Sequence, residues 1–222
     1  MKGIEELVYE GESALTTVEN WIFESKNSNQ AIILPSEIEM SIKVITDLQV
    51  TTKSILGAIA YSTGGILFQN GWLRILGSGH DKLPRTITSW SEQCDMKHAL
   101  LVADDVVGGF FALNCGFLDE GVGEIFYFAP DILDWEPLEM GYSDFVHWAC
   151  TGDLHTFYET FRWNGWETYV ADINGNQGIS IYPPLWTKES NQQGIENCSK
   201  KTVPLEELWG LHNHMREQLN KE

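Results

Sequence analysis

Three apolar segments limit the fold most closely: Ala99–Ala103, Gly109–Leu113 and Glu124–Phe128 follow one another across short turns. Apolar runs of about five residues bounded by turn residues read as strands. Connections this short join antiparallel neighbours, because a parallel return needs a crossover of about a dozen residues or more. Upstream, Ile66-Leu67-Phe68 and Trp72–Leu76 flank Gln69-Asn70-Gly71, and Asn-Gly between two apolar runs marks a tight hairpin. The strands are therefore grouped in the middle of the chain, with helical spacing on either side.

Before the strands, Ile4 to Ser25 carries Leu15, Val18, Trp21 and Ile22 on one face, with a break near Gly11. Ser36 and Glu39 form a capping-box pattern, and Ile38, Ile42, Ile45 and Leu48 follow as an apolar stripe. Trp90 falls in a short helical segment, and Asp131 to Met140 reads as an irregular edge or loop. After Gly141 the helical period returns, with Ser143 and Asp153 as caps. Tyr169–Ile173 and Gly178–Tyr182 are expected to pair about Asn174-Gly175, and Pro204 suits the first turn of a last helix. Strands grouped rather than alternating with helices predict an α+β fold. The expectation is a central antiparallel sheet with helices packed on it and an aromatic-rich C-terminal extension. No repeat or linker divides the chain, so residues 1–222 are expected to form a single domain.

Charge narrows the partners. The 222 residues carry 14 Lys and Arg against 32 Asp and Glu, a formal net charge of −18. Such a surface repels phosphate backbones and anionic headgroups, so nucleic acid and membrane are excluded as first partners. A basic protein or a neutral small ligand fits better. The start MKGIEELVYE lacks a basic region followed by an apolar run, and no apolar run approaches the ~18 residues of a membrane span. A cytoplasmic location is expected. Cys94, Cys115, Cys150 and Cys198 form no close pair and read as buried, reduced thiols.

The candidate reactive groups do not assemble into a complete set. Asp104 and Asp105 end a strand, where neighbours point to opposite faces. A polar turn accepting backbone N–H bonds accounts for them better than a pair of glycosidase carboxylates. Asp172-Ile173-Asn174-Gly175-Asn176 copies the start of a calcium loop, but Gln177 and Pro183 occupy the required Gly and Glu positions. His212 and His214, two apart on a helix, read as solvated imidazoles. His147 and Cys150 could meet on one helical face, with Cys150 as core filling the simpler account. Gly77-Ser78-Gly79-His80 lacks the rest of a dinucleotide loop. It reads as a flexible polar loop in which His80 and Arg85 could hold an anion. No metal or cofactor is implied. Nine Trp, seven Tyr and ten Phe are the least ordinary feature. Trp163, Trp166, Tyr182 and Trp186 lie in two dense aromatic strings suited to binding, or to clamping helices on the sheet.

Several strings carry a family resemblance: Gly71-Trp72-Leu73-Arg74-Ile75-Leu76-Gly77-Ser78-Gly79, Ala103-Asp104-Asp105-Val106-Val107-Gly108-Gly109-Phe110-Phe111-Ala112-Leu113-Asn114, and Tyr182-Pro183-Pro184-Leu185-Trp186. With Arg162-Trp163-x-x-Trp166 they resemble a bacterial family known only as a domain of unknown function. Gly64-Gly65 before a hairpin, the strand–Asp–Gly-Gly–strand unit and Tyr142-Ser143-Asp144-Phe145 are similar to motifs of the SUKH superfamily. That likeness implies an α+β protein-binding fold, often of immunity proteins that neutralise bacterial toxins. The expected function is non-catalytic, immunity-like binding of a basic protein such as a toxin domain. The alternative is a small-ligand protein or enzyme with a pocket between the sheet and the aromatic C-terminal segment. The candidate binding residues are Trp72, Arg74, His80, Arg85, Asp104, Asp105, Trp163, Trp166, Tyr182 and Trp186; in the pocket reading Arg74, His80, Arg85, Asp104 and Asp105 supply polarity and Trp163, Trp166 and Trp186 form the walls.

Overall fold

A computed structural model describes residues 1–219. Seven strands form one antiparallel sheet in which spatial order follows chain order. They are β1 (Ile32–Leu34), β2 (Gly65–Phe68), β3 (Leu73–Leu76), β4 (Ala99–Asp105), β5 (Phe110–Asn114), β6 (Glu124–Ala129) and β7 (Asp134–Gly141). The expected α+β class, the Asn-Gly hairpin and the antiparallel trio β4–β6 are all present. Asn70 at φ 60° and Gly71 at φ 89° supply the left-handed backbone that joins β2 to β3.

Both faces of the sheet are covered, which is why its strands read as continuous apolar runs rather than alternating ones. Phe110 and Phe111, adjacent in β5, point to opposite sides. Phe111 packs 4.9 Å from Phe145 of α6 (Tyr142–Thr151) and 6.4 Å from Phe157 of α7 (Leu154–Phe157). Phe110 packs 6.4 Å from Trp90 of α5 (Ile87–Gln93) and 4.9 Å from Trp209 of α10 (Leu205–Leu219). Phe111, Phe110, Trp90 and Phe145 are buried, so each face has its own aromatic core.

The N-terminal helices are α1 (Ile4–Leu7), α2 (Ala14–Glu24), α3 (Ile38–Leu48) and α4 (Ile55–Ser62). The expected Ser36 cap is not used: α3 follows Glu37, which makes no side-chain cap. Its stripe is also rotated. Ser41, Val44 and Ile45 are buried while Ile38 and Ile42 face outward. Ser41 draws the helix inward by placing its hydroxyl 3.4 Å from that of Ser78, itself fully buried. The Gly77–His80 segment is thus anchored rather than a flexible loop, since the Ser78 hydroxyl also donates to the Thr63 carbonyl at 2.9 Å.

Four further expectations are corrected. Asp131–Met140 contains a regular edge strand, β7, where Pro137 is tolerated because an edge leaves one side unpaired. β7 runs directly into α6, so Gly141 rather than Ser143 precedes the helix. Asp153 does cap α7, accepting the Thr156 N–H at 3.0 Å. Residues 169–173 do not form a strand: Trp166–Ala171 is helix α8, where Tyr169 sits edge-on to Trp163 at 5.7 Å. β8 (Gln177–Tyr182) pairs instead with β9 (Ser199–Pro204), across α9 (Lys188–Gln193), and Pro204 precedes α10. Among the described residues, no helix is long and apolar enough to cross a membrane.

Candidate functional site

The site begins with a cross-strand pair. Register places Arg74 of β3 opposite Asp104 of β4, and Asp104 opposite Phe110, so both point to the α10 side of the sheet. Nε and Nη2 of Arg74 each lie 2.6 Å from Asp104 Oδ1. Arg85, arriving from the loop before α5, brings Nη1 to Oδ2 and Nη2 to Oδ1, the latter at 3.2 Å. Asp104 is fully buried, and Arg74 and Arg85 are 2% and 7% exposed. Burial lowers the Arg74 pKa despite the neighbouring carboxylate.

The two arginines also grip the C-terminal segment. Arg74 Nη1 donates to the Gln177 carbonyl at 2.7 Å. Arg85 donates to the Gly175 carbonyl from Nη2 at 2.7 Å and Nε at 3.2 Å, while its guanidinium lies 4.7 Å above Trp90. The Asp172–Asn176 stretch is therefore an anchored turn between α8 and β8, and Arg85 is committed to Asp104 rather than free to hold an anion with His80. His80 stays apart, its Nδ1 accepting the Lys82 N–H at 3.1 Å.

Asp105 faces the other side of the sheet. One carboxylate oxygen accepts the N–H groups of Val107 and Gly109 at 3.0 and 2.9 Å, and the other accepts the Tyr127 hydroxyl at 2.8 Å. The polar-turn account holds for Asp105 but not for Asp104, which takes guanidinium donors instead. Burial raises the Asp105 pKa to about 6 against these favourable hydrogen bonds. A side chain on Gly109 would strike the Asp105 carboxylate and Tyr127, and Gly108 sits at φ 88° beside His212, which explains the Gly-Gly turn.

The aromatic residues fall into two further groups. Trp72, fully buried before β3, lies 5.6, 6.0 and 5.0 Å from Tyr158, Trp163 and Trp166. Arg162 stacks on Trp166 at 4.2 Å and Trp72 at 4.8 Å, and donates to Gln69. Burial lowers the Arg162 pKa to about 10. Tyr182 is 70% exposed, whereas Trp186 packs edge-on 5.4 Å from His212. His212 corrects the solvated reading: it is buried, stacks on Phe128, and donates Nδ1–H to the Gly108 carbonyl at 3.2 Å. Its pKa falls to about 4 through burial. His214 is exposed as expected. Cys150 is core filling, and His147 points out against Trp21 at 5.0 Å. Cys115 is exposed and Cys94 half-buried, against the expectation of four buried thiols.

The expected residues thus occupy five neighbourhoods instead of one cleft, His80 standing alone in its loop. Arg74, Arg85 and Asp104 converge; Asp105 lies across the sheet; Trp72, Trp163 and Trp166 cluster at its end; Tyr182 and Trp186 flank α10. A depression of about 490 Å³ does lie between the sheet and the C-terminal segment. Ile32, Leu67 and Arg74 contribute to its lining, with Asp81, Lys82 and residues 171–175. The tryptophans expected as its walls do not line it. Sequence reasoning missed Asn114, whose buried side chain accepts three N–H groups and donates to the Leu118 and Glu120 carbonyls. An asparagine before Cys-Gly was the available signal. Among the described residues, no group of three His, Cys, Asp or Glu side chains could hold a metal ion.

Comparison with known proteins identifies relatives without a described activity. The chain is 42% identical over 219 residues to "Putative uncharacterized protein YbfG" of Escherichia coli strain K12, covering 98% of each. It is 36% identical over 212 residues to an "Uncharacterized protein" of Haemophilus influenzae, covering 93% of this chain and 91% of that one. No solved structure matches. The family model described as "Protein of unknown function DUF2625" matches residues 4–208, and the chain belongs to that family.

Proposed function

We propose that the protein is a non-catalytic binding module for a basic protein partner, immunity-like and acting in the cytoplasm. One observation carries this reading: among the described residues, the buried formal charges are Arg74, Arg85, Asp104 and Asp105, which cancel. The surplus of −18 therefore lies outside the core. A surface of that sign steers cationic partners to it and speeds encounter. Asp104 and Asp105 are at the same time occupied by internal donors, and Arg74 and Arg85 by internal acceptors. The sheet flanked by helices accords with the SUKH-like resemblance, in which the partner is a toxin domain. The depression beside Arg74 has the volume of a small-molecule site and keeps the ligand-binding alternative in view, although Arg74 is already engaged by Asp104 and Gln177.

Isothermal titration of the purified protein against products of the genes adjacent to its own tests the proposal. Submicromolar binding that weakens as salt rises is expected. Absence of binding to all of them, or turnover of a metabolite that is lost on replacing one cleft residue, would overturn it.

A further inference from the structure

The two edges of the main sheet are built differently. β7 carries Asp134, Glu136 and Glu139 with Pro137 between them, features that discourage another strand from pairing. β1 is Ile32-Ile33-Leu34, with no charge and no proline, and pairs on one side with β2. Its neighbour on the chain, Pro35, limits the free edge to a short register. Ile32 is 49% exposed.

One depression touches this edge and a second adjoins the first. The first, of about 490 Å³, is lined by Ile32, Leu67, Lys82 and Asp172 among others. The second, of about 350 Å³, is lined by Glu37, Met40 and His80. Asp81 lines both, so the two adjoin there; this pair of depressions is the channel, and Ile32, in the lining of the first, is its contact with β1. Arg74, in the lining of the first, is 2% exposed and shares Asp104 with Arg85. The exposed charges along the channel are then Glu37, Asp81 and Asp172 against Lys82 alone.

We infer that β1 and this channel receive an extended, lysine- or arginine-bearing segment of the partner, which adds to the sheet as a further strand. The inference rests on the binding-module reading and names its surface. Main-chain pairing to an open edge supplies affinity, and side chains projecting alternately supply specificity. Here the apolar side chains of the segment meet Ile32, Leu67 and Met40, while its cations meet Glu37, Asp81 and Asp172. The shortness of β1 restrains indiscriminate self-pairing, leaving charge to select the partner.

The test uses a fluorescent decapeptide alternating lysine and valine, its glutamate–valine counterpart, and the double variant Asp81→Lys/Asp172→Lys, both positions being exposed. Anisotropy is expected to show the lysine peptide binding, the glutamate peptide not binding, and affinity falling about tenfold or more in the variant. Hydrogen exchange on the wild-type protein is expected to show slowed exchange of β1 amides when the lysine peptide is added. Equal binding of the two peptides, an unaffected double variant, protection mapping away from β1, or dimerisation through β1 without peptide would each overturn the inference. A basic protein that binds the double variant as tightly as the wild type overturns this surface while sustaining the proposed function. Absence of salt-sensitive binding of any basic protein by the wild type overturns both.

Discussion

Replacing Asp104 with asparagine isolates the contribution of the buried charge cluster. The side chain keeps its size, but both guanidiniums lose their ionic acceptor in a place where they are 2% and 7% exposed. Removing one partner of a buried ion pair costs about 3–5 kcal/mol, largely because the remaining charge is stranded away from water. Here one carboxylate serves two cations, Arg74 and Arg85, so the loss belongs at the upper end, about 5 kcal/mol. That is a large share of the roughly 5–15 kcal/mol that holds a domain folded. The same cations anchor the Gly175 and Gln177 carbonyls, so disorder should spread first into the turn before β8. Urea unfolding measures the stability, and hydrogen exchange locates the loosening. The expected result is a midpoint shifted far down with little change in slope, and faster exchange at residues 172–182. A loss below about 1 kcal/mol, typical of an exposed pair, would refute the argument that this cluster is buried and mutually dependent.

Acid stability follows from two opposed groups. The folded Asp105 carboxyl titrates near 6 rather than 3.8, so folding takes up a proton and that contribution is lost as pH rises from about 4 to 6. His212 titrates near 4 rather than 6.5 when folded, so its contribution is lost as pH falls from about 6.5 to 4. Each is worth roughly 3 kcal/mol across its window, and the wild type should be nearly flat there. Asp105→Asn should become less stable with acid and His212→Gln less stable with base, measured by urea melts at pH 4 and 7; parallel slopes would contradict the assignment. Thiol titration with an aromatic disulfide should modify Cys115 quickly in the native protein and leave Cys150 and Cys198 unmodified until unfolding, with rapid labelling of Cys150 the contrary result.

The legible parts of the fold were those where local pattern and tertiary packing agree. β4, β5 and β6 carry apolar runs separated by turn residues, and the Asn-Gly turn needs a backbone that few other residues adopt. α4 escaped because Ile55–Ser62 is apolar on nearly every side, and a helix buried all round has no stripe to read. In α8, Tyr169 and Val170 favour a strand, a preference overridden by packing against Trp163. β9 reads Ser-Lys-Lys-Thr-Val-Pro and shows little apolar pattern, since its partner lies across a long connection. At the site, Arg74 and Asp104 were singled out, but their pairing depends on a register that composition does not disclose. Arg85 reaches them from a loop, and the acceptors that complete the cluster are backbone carbonyls, which carry no residue signature. The burial of His212 is not legible in its own helix, because Phe128 and Gly108, far away in the chain, are what cover it.

Spatial order equal to chain order has a kinetic consequence. Each strand of the main sheet pairs with the next one in the chain, from β4 to β7 across short turns, while α3 and α4 separate β1 from β2 and α5 separates β3 from β4; folding rates rise as contacting residues lie closer in sequence. The ladder from β1 to β7 can therefore zip progressively as the polypeptide emerges from the ribosome. The β8–β9 pair follows, and its arrival gives the waiting arginines their remaining acceptors and seals the sheet from the second side.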